Sequence, residues 1–205
     1  MILQFDSTIL LWIQDVVRNP VLDVIFKFIT HLGDNGYFWI GLALILCIPK
    51  KTRKAGIFAL VALLFSVIVN NAILKNVIGR IRPYEIIAGL ECIIKHAHDA
   101  SFPSGHTGSS FAAATVFLKK LPKKFSIPLL VVAILISVSR LYVGIHYPTD
   151  VIAGAITGTA LGILACLLGD FLIKKFREKK PETCDKIFYN EEKTPALKAA
   201  EEEGE

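Results

Sequence analysis

Between Ser139 and Asp150 the chain reads Ser-Arg-Leu-Tyr-Val-Gly-Ile-His-Tyr-Pro-Thr-Asp, placing Arg140, His146 and Asp150 where one long apolar stretch ends and another begins. Charge at such a position is expensive in a bilayer and points to function. An imidazole followed four residues later by a carboxylate can be held in one tautomer. Its other ring nitrogen is then free to attack an electrophile, while the guanidinium grips an anion. Pro148 suits the first turn of a helix, which sets His146 just ahead of that helix and Asp150 inside its first turn. The plain alternative is a charged loop whose histidine is satisfied by its neighbour.

Two further segments carry compatible chemistry. In Lys75-Asn-Val-Ile-Gly-Arg-Ile-Arg82-Pro83, Lys75 and Arg82 are seven positions apart. On a continuous helix they share a face and Arg80 points elsewhere. Pro83 is expected to end that helix. Two cations on one face suit a multiply charged anion, Arg82 as a fork and Lys75 as a point charge; snorkelling at a membrane edge is the plain alternative. In Phe102-Pro-Ser-Gly-His-Thr-Gly-Ser-Ser110, a helix start offers unpaired N–H groups, the Ser104 hydroxyl and, at Gly105, close backbone approach. These suit a phosphate, and His106 is placed to act as a general acid. The small residues beyond His106 also read as a helix-packing face.

The elements that must position these groups are membrane helices. The chain has 205 residues, 53% of them hydrophobic, with mean hydropathy +0.54, which is high for a soluble domain. Apolar segments occur at about 20–31, 37–49, 55–74, 102–118, 125–139 and 151–169. The expected fold is all-α: a polytopic membrane bundle of about six spans preceded by an N-terminal amphipathic helix over 1–18. The membrane domain covers 19–176, and 177–205 is a charged cytoplasmic tail, mobile and solvated. Residues 20–31 are short for a core of about 30 Å and read as a weak span or half-span.

The net charge of +5 comes from basic blocks at 50–54, 119–124 and 174–180. Blocks of this kind anchor spans on the cytoplasmic side and argue against a nucleic-acid surface. With the blocks inside, Lys75–Arg82, the 84–101 loop and 144–149 all emerge on the extracytoplasmic face. Cys47, Cys92, Cys166 and Cys184 lack metal-ligand spacing, and no structural disulfide is expected. Glu85, Glu91 and Asp99 form no obvious metal pair and read as solvated loop carboxylates. No cofactor or metal is implied.

The three segments together resemble the signature motifs of the type 2 phosphatidic acid phosphatase superfamily. They match Lys, six residues, Arg-Pro (Lys75, Arg82, Pro83); Pro-Ser-Gly-His (Pro103–His106); and Ser-Arg, five residues, His, three residues, Asp (Ser139, Arg140, His146, Asp150). The resemblance covers about residues 20–172. It implies a metal-independent membrane phosphatase acting through a phosphohistidine on His146, oriented by Asp150, with His106 as acid and base. Lys75, Arg82, Ser104, Gly105 and Arg140 would bind the phosphate. It also implies a lipid phosphate or diphosphate as substrate, undecaprenyl diphosphate first and phosphatidylglycerophosphate or phosphatidic acid next, at the outer face of the plasma membrane. A vanadium haloperoxidase is disfavoured because the members that do that chemistry are soluble. A transporter is disfavoured because the charges cluster at span ends on one side.

Overall fold

A computed structural model describes residues 2–189; the acidic run at 201–205 lies outside the described residues. All regular elements among those residues are helical. Helix α1 (Ile2–Trp12) continues as a π-helical turn, Ile13–Val17, and α2 (Pro20–Leu32) starts at Asn19, whose side chain accepts from the Leu22 N–H. A break at Asp34–Gly36 precedes α3 (Tyr37–Cys47). Then come α4 (Lys50–Ser66), a π-helical stretch Val67–Leu74, and the short α5 (Lys75–Ile78) and α6 (Pro83–Ile86). The remaining helices are α7 (Gly105–Lys120), α8 (Lys123–Tyr142), α9 (Pro148–Lys179) and α10 (Pro181–Phe188). The helical run Lys50–Ile86 and helices Lys123–Tyr142 and Pro148–Lys179 are long and apolar enough to cross a membrane.

The bundle has a site end, which gathers 75–105 and 140–150, and a basic end at 50–54 and 119–124. Helix α2 is the half-span. It starts beside Tyr142, whose hydroxyl donates to Asp23 Oδ1 at 2.7 Å, and Thr30 Oγ1 accepts from Arg140 Nη1 at 2.5 Å. Both contacts lie at the site end. After the break, α3 carries the chain to the basic end, where Cys47 O accepts from Arg53 Nε. Helix α2 turns Val21, Val24 and Phe28 outward, as a helix facing acyl chains must.

The core is built for close approach. Trp39, Phe58, Phe117 and Ile136 fill space between runs of alanine at 112–114 and at Ala59, Ala62 and Ala133. In α9 the glycines at 154, 158 and 162 face α7. A Cβ at Gly158 would stand 2.3 Å from the Gly108 carbonyl oxygen, and one at Gly154 2.7 Å from that of Ser104. Small residues at this spacing let two backbones meet without side chains between them. Buried polar groups cross-link the layers, as where Trp39 Nε1 donates to Ser110 Oγ at 2.9 Å.

The expected free tail from 177 is in part folded. Helix α9 runs to Lys179, and α10 packs back with Cys184 buried. Arg177 pairs with Asp185 at 2.9 Å. Arg53 donates from Nε to Cys47 O at 2.9 Å, from Nη2 to Ile48 O at 3.0 Å and from Nη1 to Ile187 O at 2.8 Å. One guanidinium thus closes the end of α3 and ties α10 to the bundle, which a charge pattern alone could not foretell. The N-terminal helix is likewise fixed to the bundle, with Leu10 buried against Tyr147, Ile87 and Leu90.

Candidate active site

At the site end a cavity of about 360 Å³ is lined by Lys75, Arg82, Asp99, Gly105, His106, Arg140 and His146, among others. Three cations and two imidazoles, spread over some seventy positions of sequence, therefore face one space. Ser104 does not line it. Its hydroxyl caps α7, accepting from Thr107 Oγ1 at 3.1 Å and from the Thr107 N–H at 3.5 Å.

Lys75 and Arg82 reach the cavity by a route other than a shared helical face. The helix carrying Lys75 ends at Gly79, which adopts φ +58° and accepts no Cβ comfortably there. Arg82 is extended, and Pro83 starts α6 instead of ending the preceding helix. Leaving the helix at Gly79 also redirects Arg80, which does not point away. Its Nη1 donates to Asp150 Oδ1 at 2.6 Å and its Nη2 to Asp6 Oδ2 at 2.7 Å.

His146 precedes α9, with Tyr147 at the cap position, Pro148 first in the helix and Asp150 in its first turn. Asp150 Oδ2 faces His146 Nδ1 at 3.4 Å, accepts from the Tyr147 N–H at 3.0 Å and accepts from Ser101 Oγ at 2.5 Å. The carboxylate is thus saturated with donors and points its charge at Nδ1, leaving Nε2 toward the cavity. There Arg82 Nη1 lies 3.4 Å away. Burial pushes the His146 ring well below the ordinary imidazole range, to about 3, and Arg82 and Arg140 act in the same sense against Asp150. A neutral ring with a free nitrogen facing a cationic pocket is the state a nucleophile needs.

The cations are held rigidly. Arg82 donates from Nε to Asp99 O at 2.9 Å, from Nη1 to Ile145 O at 2.9 Å and from Nη2 to Asp99 Oδ1 at 2.6 Å. Lys75 pairs with Asp99 Oδ2. Arg140 is buried, and its Nε has no partner among the described residues, so it keeps a donor for a ligand. Asp99, expected to be a solvated loop carboxylate, bridges Lys75 and Arg82. Burial alone would raise its pKa, but those two cations outweigh it and hold the group at about 2.

Several site residues lie outside the three sequence segments: Asp99, Ser101, Asp6, Thr30, Asn71 and Asp34. Asn71 belongs to the π-helical stretch, and its Oδ1 would lie 2.8 Å from a Cβ at position 105, so glycine there admits the amide. π-Helical turns concentrate at functional sites, but nothing in the residue string distinguishes this one from α-helix. Asp6 is bound by Arg80, by Thr149 Oγ1 at 2.6 Å and by the Thr149 N–H at 3.1 Å. In the sequence Asp6 reads as one more polar position of an amphipathic helix, and only the fold shows that it is buried.

Comparison with known proteins places the chain in a family. Residues 55–173 match the model of the PAP2 superfamily. An undecaprenyl-diphosphatase of Sulfolobus acidocaldarius is 32% identical over 144 residues, covering 70% of this chain and 69% of its own. The undecaprenyl-diphosphatase BcrC of Bacillus subtilis is 33% identical over 155 residues (76% and 79%), and phosphatidylglycerophosphatase B of the same organism 33% over 178 residues (80% and 83%). Among solved structures, Aquifex aeolicus LpxE superimposes with TM-score 0.69 at 28% identity, covering 78% of this chain and 94% of that one. The PAP2-type phosphatidylglycerolphosphate phosphatase of Bacillus subtilis gives 0.66 at 29%, covering 86% of each. With matches over this much of its length and a helical membrane bundle around the motif residues, the chain belongs to the PAP2 superfamily and is a membrane lipid phosphatase.

Proposed function

We propose that the protein hydrolyses the terminal phosphate of a polyprenyl diphosphate, undecaprenyl diphosphate being the best candidate, without a metal and at the extracytoplasmic face of the plasma membrane. The observation that carries the reading is the convergence of His146, His106, Lys75, Arg82 and Arg140 on one cavity. His146 Nε2 attacks phosphorus, and Asp150 orients the ring and stabilises the charge it acquires. Lys75, Arg82, Arg140 and the Gly105 N–H receive the non-bridging oxygens, the dominant requirement of phosphoryl transfer. These cations supply the charge a metal would otherwise bring. His106 protonates the departing oxygen and afterwards takes a proton from the water that cleaves the phosphohistidine. Ser104 contributes as the cap that sets the start of α7.

A lipid substrate fits because the cavity extends along an apolar wall of Ile40, Leu63 and Val67, with Val67 exposed on the outer face of the bundle. A headgroup among the cations can leave its tail in the bilayer there. The diphosphate follows from the two undecaprenyl-diphosphatases among the relatives. The similarity to phosphatidylglycerophosphatase B favours a second reading, in which a glycerophospholipid phosphomonoester is cleaved. The outer-face placement is supported by the basic blocks at the opposite end.

The purified protein is expected to release inorganic phosphate from undecaprenyl diphosphate in the presence of EDTA, and His146→Ala to abolish turnover while the protein still elutes as a folded species. Full activity in His146→Ala would remove the nucleophile assignment. Faster release from phosphatidylglycerophosphate or phosphatidic acid in a parallel assay would replace the diphosphate reading.

A further inference from the structure

His106 meets a carboxylate that belongs to none of the three motif segments. Its Nε2 lies 3.0 Å from Asp34 Oδ1, and Asp34 Oδ2 lies 2.7 Å from His31 Nδ1. Asp34 comes from the break between α2 and α3, where Asn35 and Gly36 take left-handed φ values of 49° and 69°. The turn rests directly on the imidazole: a Cβ at Gly33 would stand 2.4 Å from His106 Cδ2. The break between α2 and α3 therefore has a consequence for the site, because it delivers a carboxylate to the ring that must trade protons.

We propose that Asp34 is the positioning residue of His106. It holds the ring through Nε2–H, so that Nδ1 is the nitrogen that exchanges a proton with the reacting oxygens, and it keeps the imidazolium accessible inside a cationic pocket. This rests on the phosphatase roles proposed above. The groups facing His106 are Asp34 from the turn, Lys75 from α5 and Arg140 from α8, with Arg82, Asp99 and His146 across the cavity and His31 behind Asp34. The cations oppose a charged imidazole, and Asp34 is the carboxylate in contact with it.

The proton accounting closes within the site. As the His146 Nε2–phosphorus bond forms and the bond from phosphorus to the leaving oxygen breaks, Nδ1–H of the His106 imidazolium passes its proton to that oxygen. In the second half the neutral Nδ1 takes a proton from water while the water oxygen bonds to phosphorus. The nitrogen–phosphorus bond then breaks and the imidazolium is restored. Asp34 stays ionised throughout, accepting from Nε2–H, and His31 fixes its second oxygen. Carboxylates that orient a working histidine in this way typically matter by about 10- to 100-fold.

The test uses the full-length protein and undecaprenyl diphosphate. Asp34→Asn keeps the shape of a half-exposed side chain and removes the charge. It is expected to lower kcat about 10-fold or more and to move the basic limb of the kcat/KM profile to lower pH by about one unit, because the imidazolium loses its counter-charge. Asp34→Glu should recover part of both effects. In a His106→Ala background Asp34→Asn should cost nothing further. An unchanged profile, or an equal loss in the His106→Ala background, would overturn the proposal, as would a gain in rate, which would make Asp34 an occupant that substrate displaces. Failure of the phosphatase reading itself shows separately, as no release of phosphate from undecaprenyl diphosphate by the unmodified protein.

Discussion

Asp99 stands where a substrate phosphate must compete, and its chemistry follows from that. Its two oxygens engage Lys75 and Arg82, the same donors a phosphate would take, yet more than half of its side chain is open to solvent. A screened contact of this kind is worth up to about 1 kcal/mol. It can keep two repelling cations together in the empty site and still yield to a doubly charged ligand. Asp99→Asn is accordingly expected to tighten competitive inhibition by inorganic phosphate by roughly 2- to 5-fold, read as a fall in Ki at constant ionic strength. Unchanged or weaker inhibition would make the carboxylate a strut for Arg82 and not a competitor. None of this was visible in the string of residues. Lys75, Arg82, His106, Arg140, His146 and Asp150 could be picked out because their types and spacings are unusual at the ends of apolar segments. Asp99 is one of several acids in a polar loop, and only the fold assigns it a partner.

At the scale of elements, the site depends on how closely α7 and α9 approach, since α7 carries Gly105 and His106 and α9 carries Asp150 just after His146. Their contact runs through backbone: at Gly158 a Cβ would lie 2.3 Å from one carbonyl oxygen and 3.1 Å from the Ala112 nitrogen. Neither neighbour is a flexible side chain that could give way. Gly158→Ala is expected to force the helices apart, destabilising the protein by about 1–3 kcal/mol and lowering Tm by roughly 2–10 °C. It should also lower kcat, by separating the two histidines, while leaving Ki for inorganic phosphate near its original value. A melting temperature unchanged in detergent would show that the helices have room to spare. Much of this level was legible beforehand: α4, α8 and α9 announce themselves as long apolar runs, and Pro148 marks the start of α9. The shared face of Lys75 and Arg82 was not, because Gly79 turns left-handed and breaks the periodicity on which that expectation stood. The π-helical stretch before it escaped for a different reason, since its hydrophobic pattern is indistinguishable from that of an ordinary span.

The whole molecule turns on where the short helix α2 lies. Because α2 keeps to the site end through Tyr142 and Arg140, the N-terminal helix lies there too, where Asp6 meets Arg80 and Thr149, while α9 finishes among the basic residues. Six independent spans would instead have put both ends together. The sequence could not separate these cases: a thirteen-residue apolar helix is too short to cross and too apolar to ignore, and only its contacts with Tyr142 and Arg140 show that it stays in one half. The arrangement makes a definite prediction for the cell. In a variant lacking the four native cysteines, a single cysteine at Asp15 or at Glu85, both exposed at the site end, is expected to react with a membrane-impermeant maleimide on intact cells. A cysteine at Lys124, exposed at the basic end, should react only after permeabilisation. Labelling at Glu85 but not at Asp15 would restore a sixth crossing and detach α1 from the site. Labelling at Lys124 alone would invert the protein, and the substrate would then have to be a lipid phosphate of the inner leaflet.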